Sequence, residues 1–427
     1  MNKKTVLTGI TTTGTPHIGN YLGAIKPAIE ASEDPNFQSY FFLADYHALI
    51  KCHEPDRVAR STREIAATWL ALGLDTDKAV FYRQTDIPEI TELTWILTCM
   101  TSKGLMNRAH AYKASVDANR EAGRQDLDDG VTMGLFSYPI LMAADILMFN
   151  AELIPVGKDQ IQHIEMARDI AGRFNHTYQP LFTLPEAVVD EQTQLIPGLD
   201  GRKMSKSYDN TIPLFCSSDE LRKLINQIKT DTREPGEPKD PDDSTLYQLY
   251  SCFADSVECA AMRQQFHSGI AWGDAKTELF EFLDAKLAGP RARYNELMAD
   301  LGEVEAVLQK GAVKAREKAA PLLEQVRIAA GIRPLTYLAA AGTEQQAEKK
   351  EKSAEELERA EQGRRRAILM QLKPLLDQVE AADDKRAVAN QLVSEKAQQV
   401  DELKKKAKQK AQNELELLRE ELAEFLD

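Results

Sequence analysis

No apolar run in this 427-residue chain approaches the roughly 20 residues that would span a bilayer, so no membrane-spanning helix is expected. Cysteine is scarce. Cys52, Cys99, Cys216, Cys252 and Cys259 are scattered, and none forms a CxxC pair. That spacing gives no zinc or iron–sulfur framework, and reduced thiols are expected. Positive charge is also short. The 53 Lys and Arg against 67 Asp and Glu leave a net charge of −14, which argues against non-specific binding of nucleic acid. One folded RNA held on a local basic patch stays compatible with that balance. Met1-Asn2-Lys3-Lys4-Thr5-Val6 leads into a strand-like segment without a signal-peptide core or cleavage site, and a cytoplasmic protein is expected. No Ser-His-Asp or Cys-His order has motif support, so covalent catalysis is not indicated.

What is present organises the chain into three parts. The first half alternates two kinds of segment. Residues 5–9, 40–44, 79–83 and 151–156 are short, branched or aromatic, and read as buried parallel strands. Residues 55–73, 89–103, 137–150 and 159–174 carry helical spacing. Alternation of this kind predicts an α/β fold, a Rossmann-like doubly wound parallel sheet, over 1–215. Residues 216–338 read as all-helical, with a Pro-, Gly- and acid-rich surface loop at 232–244. From 339 to 427 Ala, Glu, Lys, Gln and Leu dominate, and Phe425 is the only aromatic residue. Leu403, Ala407, Ala411, Leu415, Leu418, Leu422 and Phe425 recur at three- and four-residue steps. One or two long helices, or a coiled-coil-like hairpin broken near Pro374, are expected there. Two readings of this extension stay open: a self-packing appendage, or an arm for RNA or a partner that uses Arg364-Arg365-Arg366 and Lys404 to Lys410.

Two motifs carry chemistry. Thr11-Thr12-Thr13-Gly14-Thr15-Pro16-His17-Ile18-Gly19-Asn20 follows the first strand and opens a helix-like segment. Gly14 suits a turn, Gly19 lets backbone approach a base or phosphate closely, and helix-start amides favour anions. Alone, this is an ordinary strand-to-helix turn. Gly201-Arg202-Lys203-Met204-Ser205-Lys206-Ser207-Tyr208 places two ammonium groups three residues apart in a loop that Gly201 lets bend. Lys203 and Lys206 could neutralise charge developing on a leaving pyrophosphate. A third element, Asp145, is a carboxylate on an apolar helix face beside Leu141 and Met142, and needs a partner or a polar cavity.

With those residues in view, the chain resembles the class I aminoacyl-tRNA synthetases. Thr15-Pro16-His17-Ile18-Gly19-Asn20 is similar to their HIGH signature, with Asn20 at its final histidine, and Lys203-Met204-Ser205-Lys206-Ser207 matches KMSKS in full. Ser137-Tyr138-Pro139-Ile140-Leu141-Met142-Ala143-Ala144-Asp145, Val156-Gly157-Lys158-Asp159-Gln160 and Asp45-Tyr46-His47 narrow the resemblance to the tryptophanyl-tRNA synthetase family, over roughly residues 4–335. The resemblance implies an ATP-dependent ligase joining L-tryptophan to tRNA(Trp) through an adenylate, in a homodimer. Mg2+ would be carried by the ATP, with no protein-bound metal. It implies His17, Lys113, Lys203 and Lys206 as catalytic residues. Thr11, Thr12, Thr13, Gly19, Asn20, Gly157, Lys158, Asp159, Ile196 and Lys203-Met204-Ser205-Lys206-Ser207 would surround ATP. Leu7, His47, Tyr138, Met142, Asp145, Val156 and Gln160 would surround tryptophan, with Asp145 accepting the indole N–H. The 216–338 region would read the anticodon. Thr11-Thr12-Thr13 and Leu7 depart from the family pattern of Gln-Pro-Ser and an aromatic residue. Three rivals remain: a tyrosyl-tRNA synthetase, a small-molecule nucleotidyltransferase, and a paralogue that binds RNA or a partner without charging tRNA.

Overall fold

The computed structural model describes residues 3–189, 196–332, 344–401 and 405–426. The chain divides into two compact units, Met1–Ile332 and Arg333–Asp427. In the first, β1 (Lys4–Thr11), β2 (Phe37–Ala44), β3 (Val80–Arg83), β4 (Leu153–Pro155) and β5 (Glu186–Val188) form one sheet in the order β3-β2-β1-β4-β5. Every pairing is parallel, with Leu7 opposite Tyr40 and Phe42 opposite Tyr82. This is the expected α/β doubly wound architecture. The sequence pattern did not reveal β5, which is three residues long and largely solvent-facing.

The period of two along each strand sorts side chains into two apolar layers. Leu7, Tyr40, Phe42 and Tyr82 face one layer, where Tyr40 stacks on Phe149 at 4.8 Å. Phe41, Leu43 and Phe81 face the other, with Phe41 against Trp69 at 4.9 Å. Burial on both faces explains why β2 reads as a continuous apolar run instead of an alternating one. Helices Pro55–Ala71, Pro88–Met100, Met133–Leu147 and Ile161–Thr177 supply the covering surfaces. The strand order reverses direction between β1 and β4, and a crevice beyond their carboxyl ends is the usual ligand site of such sheets.

The helical region is woven into this unit. Helix Leu301–Ala330 returns to lie along β3, so the sheet edge is covered. A Cβ on Gly311 would stand 1.7 Å from the Phe81 carbonyl oxygen, so the helix approaches the strand as only glycine permits. A further apolar core joins Leu221, Leu246, Phe266 and Leu279 from the helices at 218–299 to Ile18 and Met204 from the two motif loops. Residues 232–244 contain no helix or strand, as expected. Their loop is ordered around buried Lys239, whose ammonium donates to the carbonyls of Glu234 (3.0 Å) and Glu237 (3.1 Å) and lies over Trp272.

The second unit holds three helices, Glu344–Glu380, Lys385–Asp401 and Lys405–Glu421, around Leu372, Val379, Ala389, Leu417, Leu418 and Leu422. The sequence expectation of one or two helices broken near Pro374 is corrected here. Pro374 sits inside the first helix, and the chain turns at 381–384. Helices bent at proline can continue when packing supplies the missing support, and Leu372, Leu375 and Leu376 beside it are held in this core. The 338/339 boundary, Leu403 and Lys404 lie outside the described residues.

Candidate active site

The turn after β1 is built around His17. Its backbone is extended (φ −120°, ψ 168°) where it caps the helix beginning at Ile18. The Asn20 N–H donates to His17 Nδ1 (3.3 Å), and the His17 N–H donates to Asn20 Oδ1 (3.1 Å). This reciprocal cap satisfies donors that helix starts otherwise leave free. Burial, reinforced by the Lys206 charge, pushes the imidazole down to about 4. His17 is therefore neutral at pH 7. Because Nδ1 accepts a hydrogen bond, the proton resides on Nε2, which becomes a donor. The amide oxygen of Asn20 is committed to the cap. Thr12 is fully buried and its hydroxyl has no hydrogen-bond partner among the described residues. The Thr13 carbonyl accepts from Arg57 at 3.3 Å.

The lysine loop meets this turn across a separation of 185 positions. The Gly19 N–H points at Met204 Sδ at 3.3 Å. A Cβ on Gly19 would fit tightly, 3.0 Å from His17 Nδ1, and lie in ordinary contact, 3.4 Å, with Met204 Cβ. A Cβ on Gly14 would lie 2.8 Å from Lys206 Nζ, which places that ammonium against the first turn. Partial burial there lowers the Lys206 pKa, opposed by Glu64. Lys203 is exposed, its backbone bridged to Pro197. Ser205 caps the short turn Lys206–Tyr208 by accepting from the Ser207 N–H at 3.3 Å. Ile196 accepts from the Met204 N–H at 2.8 Å and packs with Ile18 and Met204. The loop's bend uses left-handed backbone at Gly201 (φ 82°) and Asp209 (φ 50°).

Across the switch point, β4 ends at Pro155 and runs into Val156-Gly157 and the turn Lys158–Gln160. Asp159 folds back over Gly157, where a Cβ would meet its carboxylate at 2.7 Å. Gln160 Nε2 donates to Asp159 Oδ2 at 2.6 Å, which leaves the amide oxygen of Gln160 as the acceptor facing away from that contact.

Asp145 anchors a buried polar cluster. It is 1% exposed, inside helix Met133–Leu147. Gln84 Nε2 donates to both of its oxygens (2.8 and 2.9 Å), and His47 Nε2 donates to Oδ2 at 2.9 Å. Burial raises the carboxyl pKa, and the bonds from His47 and Gln84 oppose that rise. An ionised carboxylate offers about four acceptor positions, so three occupied ones leave capacity for one more donor. The ring of His47 stands edge-on to Tyr138, and the Tyr138 hydroxyl pairs with His163 Nε2 at 2.7 Å. Met142 and Val156 are half-buried against the same core that buries Leu7. His47 thus serves Asp145 directly, beyond lining an apolar wall.

Lys113 is exposed on helix His110–Glu121 and takes part in none of these bonds. Three residues that complete the arrangement were missed from sequence: Gln84, Asn210 and Asp200. Gln84 follows the apolar run of β3 at the carboxyl end of a parallel strand, a position where such sheets place ligand groups, and that was its available signal.

Comparison with known proteins identifies the family. Residues 1–287 match the family of tRNA synthetases class I (W and Y). The tryptophan–tRNA ligase of Neisseria meningitidis is 60% identical over 335 residues, covering 78% of this chain and 100% of that one. The tryptophan–tRNA ligase of Pseudomonas putida is 62% identical over 331 residues, covering 77% and 74%. Among solved structures, the Campylobacter jejuni tryptophanyl-tRNA synthetase complexed with ADP and tryptophan is 40% identical, with a TM-score of 0.71, covering 77% of this chain and 99% of that one. The chain belongs to the class I tRNA synthetases, in the tryptophanyl-tRNA synthetase family.

Proposed function

We propose that this protein joins L-tryptophan to tRNA(Trp) in two steps at the crevice between β1 and β4. In the first, the tryptophan carboxylate attacks the α-phosphorus of ATP, and the bond to the β-phosphate oxygen breaks. Tryptophanyl-AMP and pyrophosphate result. In the second, a terminal ribose hydroxyl of the tRNA attacks the mixed anhydride and AMP departs. No protein nucleophile is required: alignment and charge neutralisation lower the barrier.

The roles follow from the chemistry of each group. Lys206, with Lys203, stabilises negative charge on the departing pyrophosphate, and the Nε2–H of neutral His17 donates to a phosphate oxygen. Mg2+ arrives on the nucleotide. Thr11, Thr12, Thr13, Gly19, Asn20, Gly157, Lys158, Asp159 and Ile196 enclose the adenosine and phosphates, with Met204, Ser205 and Ser207 closing over them. Lys113 reaches the phosphates only if its exposed side chain swings inward. Asp145 accepts the indole N–H on its remaining lone pair, in a frame of Leu7, His47, Tyr138, Met142 and Val156. The amide oxygen of Gln160 accepts from the substrate ammonium. The helices of 216–338 read the anticodon, the protein works as a homodimer in the cytoplasm, and 339–427 is an appended helical region.

The observation that carries this reading is the contact of Gly19 with Met204, which brings the lysine loop against the turn after β1. ATP–pyrophosphate exchange with each amino acid tests it. Tryptophan alone should support rapid exchange; equal exchange with tyrosine would overturn it.

A further inference from the structure

The side chain of Asn210 is buried, three residues past the lysine motif. Its Oδ1 accepts from the Ser205 N–H at 2.8 Å. Its Nδ2 donates to the Lys203 carbonyl at 3.1 Å and to Asp200 Oδ1 at 2.7 Å. The carboxylate of Asp200 accepts in turn from the backbone N–H (3.1 Å) and the guanidinium (2.6 Å) of Arg202. These bonds fix the amide's orientation: the oxygen must face the Ser205 N–H and the nitrogen must face the carboxylate. Gly198 shows how closely this cluster is fitted. A Cβ there would stand 2.4 Å from Asn210 Cγ and 2.5 Å from its backbone oxygen.

The two peptide groups held by Asn210 bracket Met204, the residue whose sulfur meets Gly19. One amide thus ties the neck of the loop at the point where the loop is anchored to the first turn. Lys203 and Lys206 lie on either side of that neck. We propose that Asn210, held by Asp200, is a positioning residue that sets where Lys203 and Lys206 stand when pyrophosphate leaves. This rests on the reading of those lysines given above. The carboxylate partner makes the bond to the amide charge-assisted, stronger than a neutral pair. Asn210 acts through the lysines and does not itself touch the phosphates.

The test uses the full-length protein. ATP–pyrophosphate exchange, tryptophan affinity by fluorescence and tryptic cleavage after Lys203 and Lys206 are measured for Asn210→Ala, Lys206→Ala and Asp200→Asn. Misplacing a reacting group by an ångström costs about 100-fold. Asn210→Ala should therefore lower the kcat of exchange on the order of 100-fold. Tryptophan affinity should stay within about twofold, since a positioning residue acts on the reacting geometry and not on ground-state binding. Tryptic cleavage after the two lysines should accelerate. Asp200→Asn keeps an acceptor for the Asn210 amide but removes the charge, so it should lose roughly tenfold, less than Asn210→Ala. Wild-type exchange in Asn210→Ala, with Lys206→Ala slow, would overturn the positioning role alone. Normal exchange in Lys206→Ala would overturn the lysine reading itself. Parallel loss of tryptophan affinity and exchange in Asn210→Ala, or unchanged exchange in Asp200→Asn, would overturn the proposal.

Discussion

The regions proposed to hold the amino acid and the phosphates are built in opposite ways. Asp145 is buried on a helix of the sheet's covering layer, and its bonds to His47 and Gln84 are already made. Lys206 sits on a loop that bends through two left-handed residues and meets the first turn through the Met204 sulfur, the packing of Met204 on Ile18 and the close fit of Lys206 against Gly14. A rigid, pre-bonded acceptor suits discrimination among side chains, because a wrong ligand leaves a buried carboxylate position unpaired. A tethered loop suits charge that appears only as the reaction proceeds. On the proposed roles, the division of labour is between recognition built into the core and catalysis hung on its rim.

The sharpest way to break this comparison is Lys206→Ala. Loss of one stabilising charge in the transition state should slow pyrophosphate exchange by about 10²–10³-fold, with tryptophan affinity unchanged. An equal loss in both would erase the contrast. Next in size is Asp145→Asn, which keeps the shape and removes the charge. Hydrogen bonds to a buried charged group contribute about 1.5–3 kcal/mol, so kcat/KM for tryptophan should fall roughly 10–100-fold. Gln84→Ala should raise the KM for tryptophan by a smaller factor, measured in the same assay, because it strips one of the partners that orient the carboxylate.

The scaffold beneath both sides can be tested apart from either. Gly311→Ala forces a methyl against the Phe81 carbonyl, and overpacking of this kind costs about 1–3 kcal/mol. Urea unfolding should show that loss, while exchange at low temperature stays near wild type.

A smaller effect comes from His17, whose folded pKa of about 4 lies below its ordinary value. Between the ordinary value of about 6.5 and 4 the unfolded chain takes up a proton that the native imidazole refuses. Its contribution is therefore fully present above about 6.5 and is lost as pH falls towards 4. His17→Asn should flatten that part of the stability–pH curve. The smallest effect is expected from removing residues 340–427. The Neisseria relative is covered whole by 335 matched residues, and exchange by the truncated chain should match the intact one.

Much of this arrangement was legible in the sequence because it is local. The apolar run of β2, the turn from Thr11 to Asn20, the Lys203–Ser207 motif and the helix carrying Asp145 each announce themselves within about a dozen residues. What escaped depends on partners far apart in the chain. Gln84 reaches Asp145 across 61 positions, and Gly19 meets Met204 across 185. Asn210 shows a different limit: its partners are close in sequence, but an asparagine in a loop looks the same whether it is solvated or buried at a neck. Pro374 misled because a proline's local penalty was weighed without the leucine contacts that hold its helix.

A double-mutant cycle between Lys206→Ala and Asp145→Asn, read as kcat/KM for tryptophan in pyrophosphate exchange, tests the division of labour most directly. Independent recognition and catalysis predict that the two losses multiply, with a coupling energy within about 0.5 kcal/mol of zero. A coupling well above about 1 kcal/mol would mean that the carboxylate and the ammonium act as one unit, and would contradict the account.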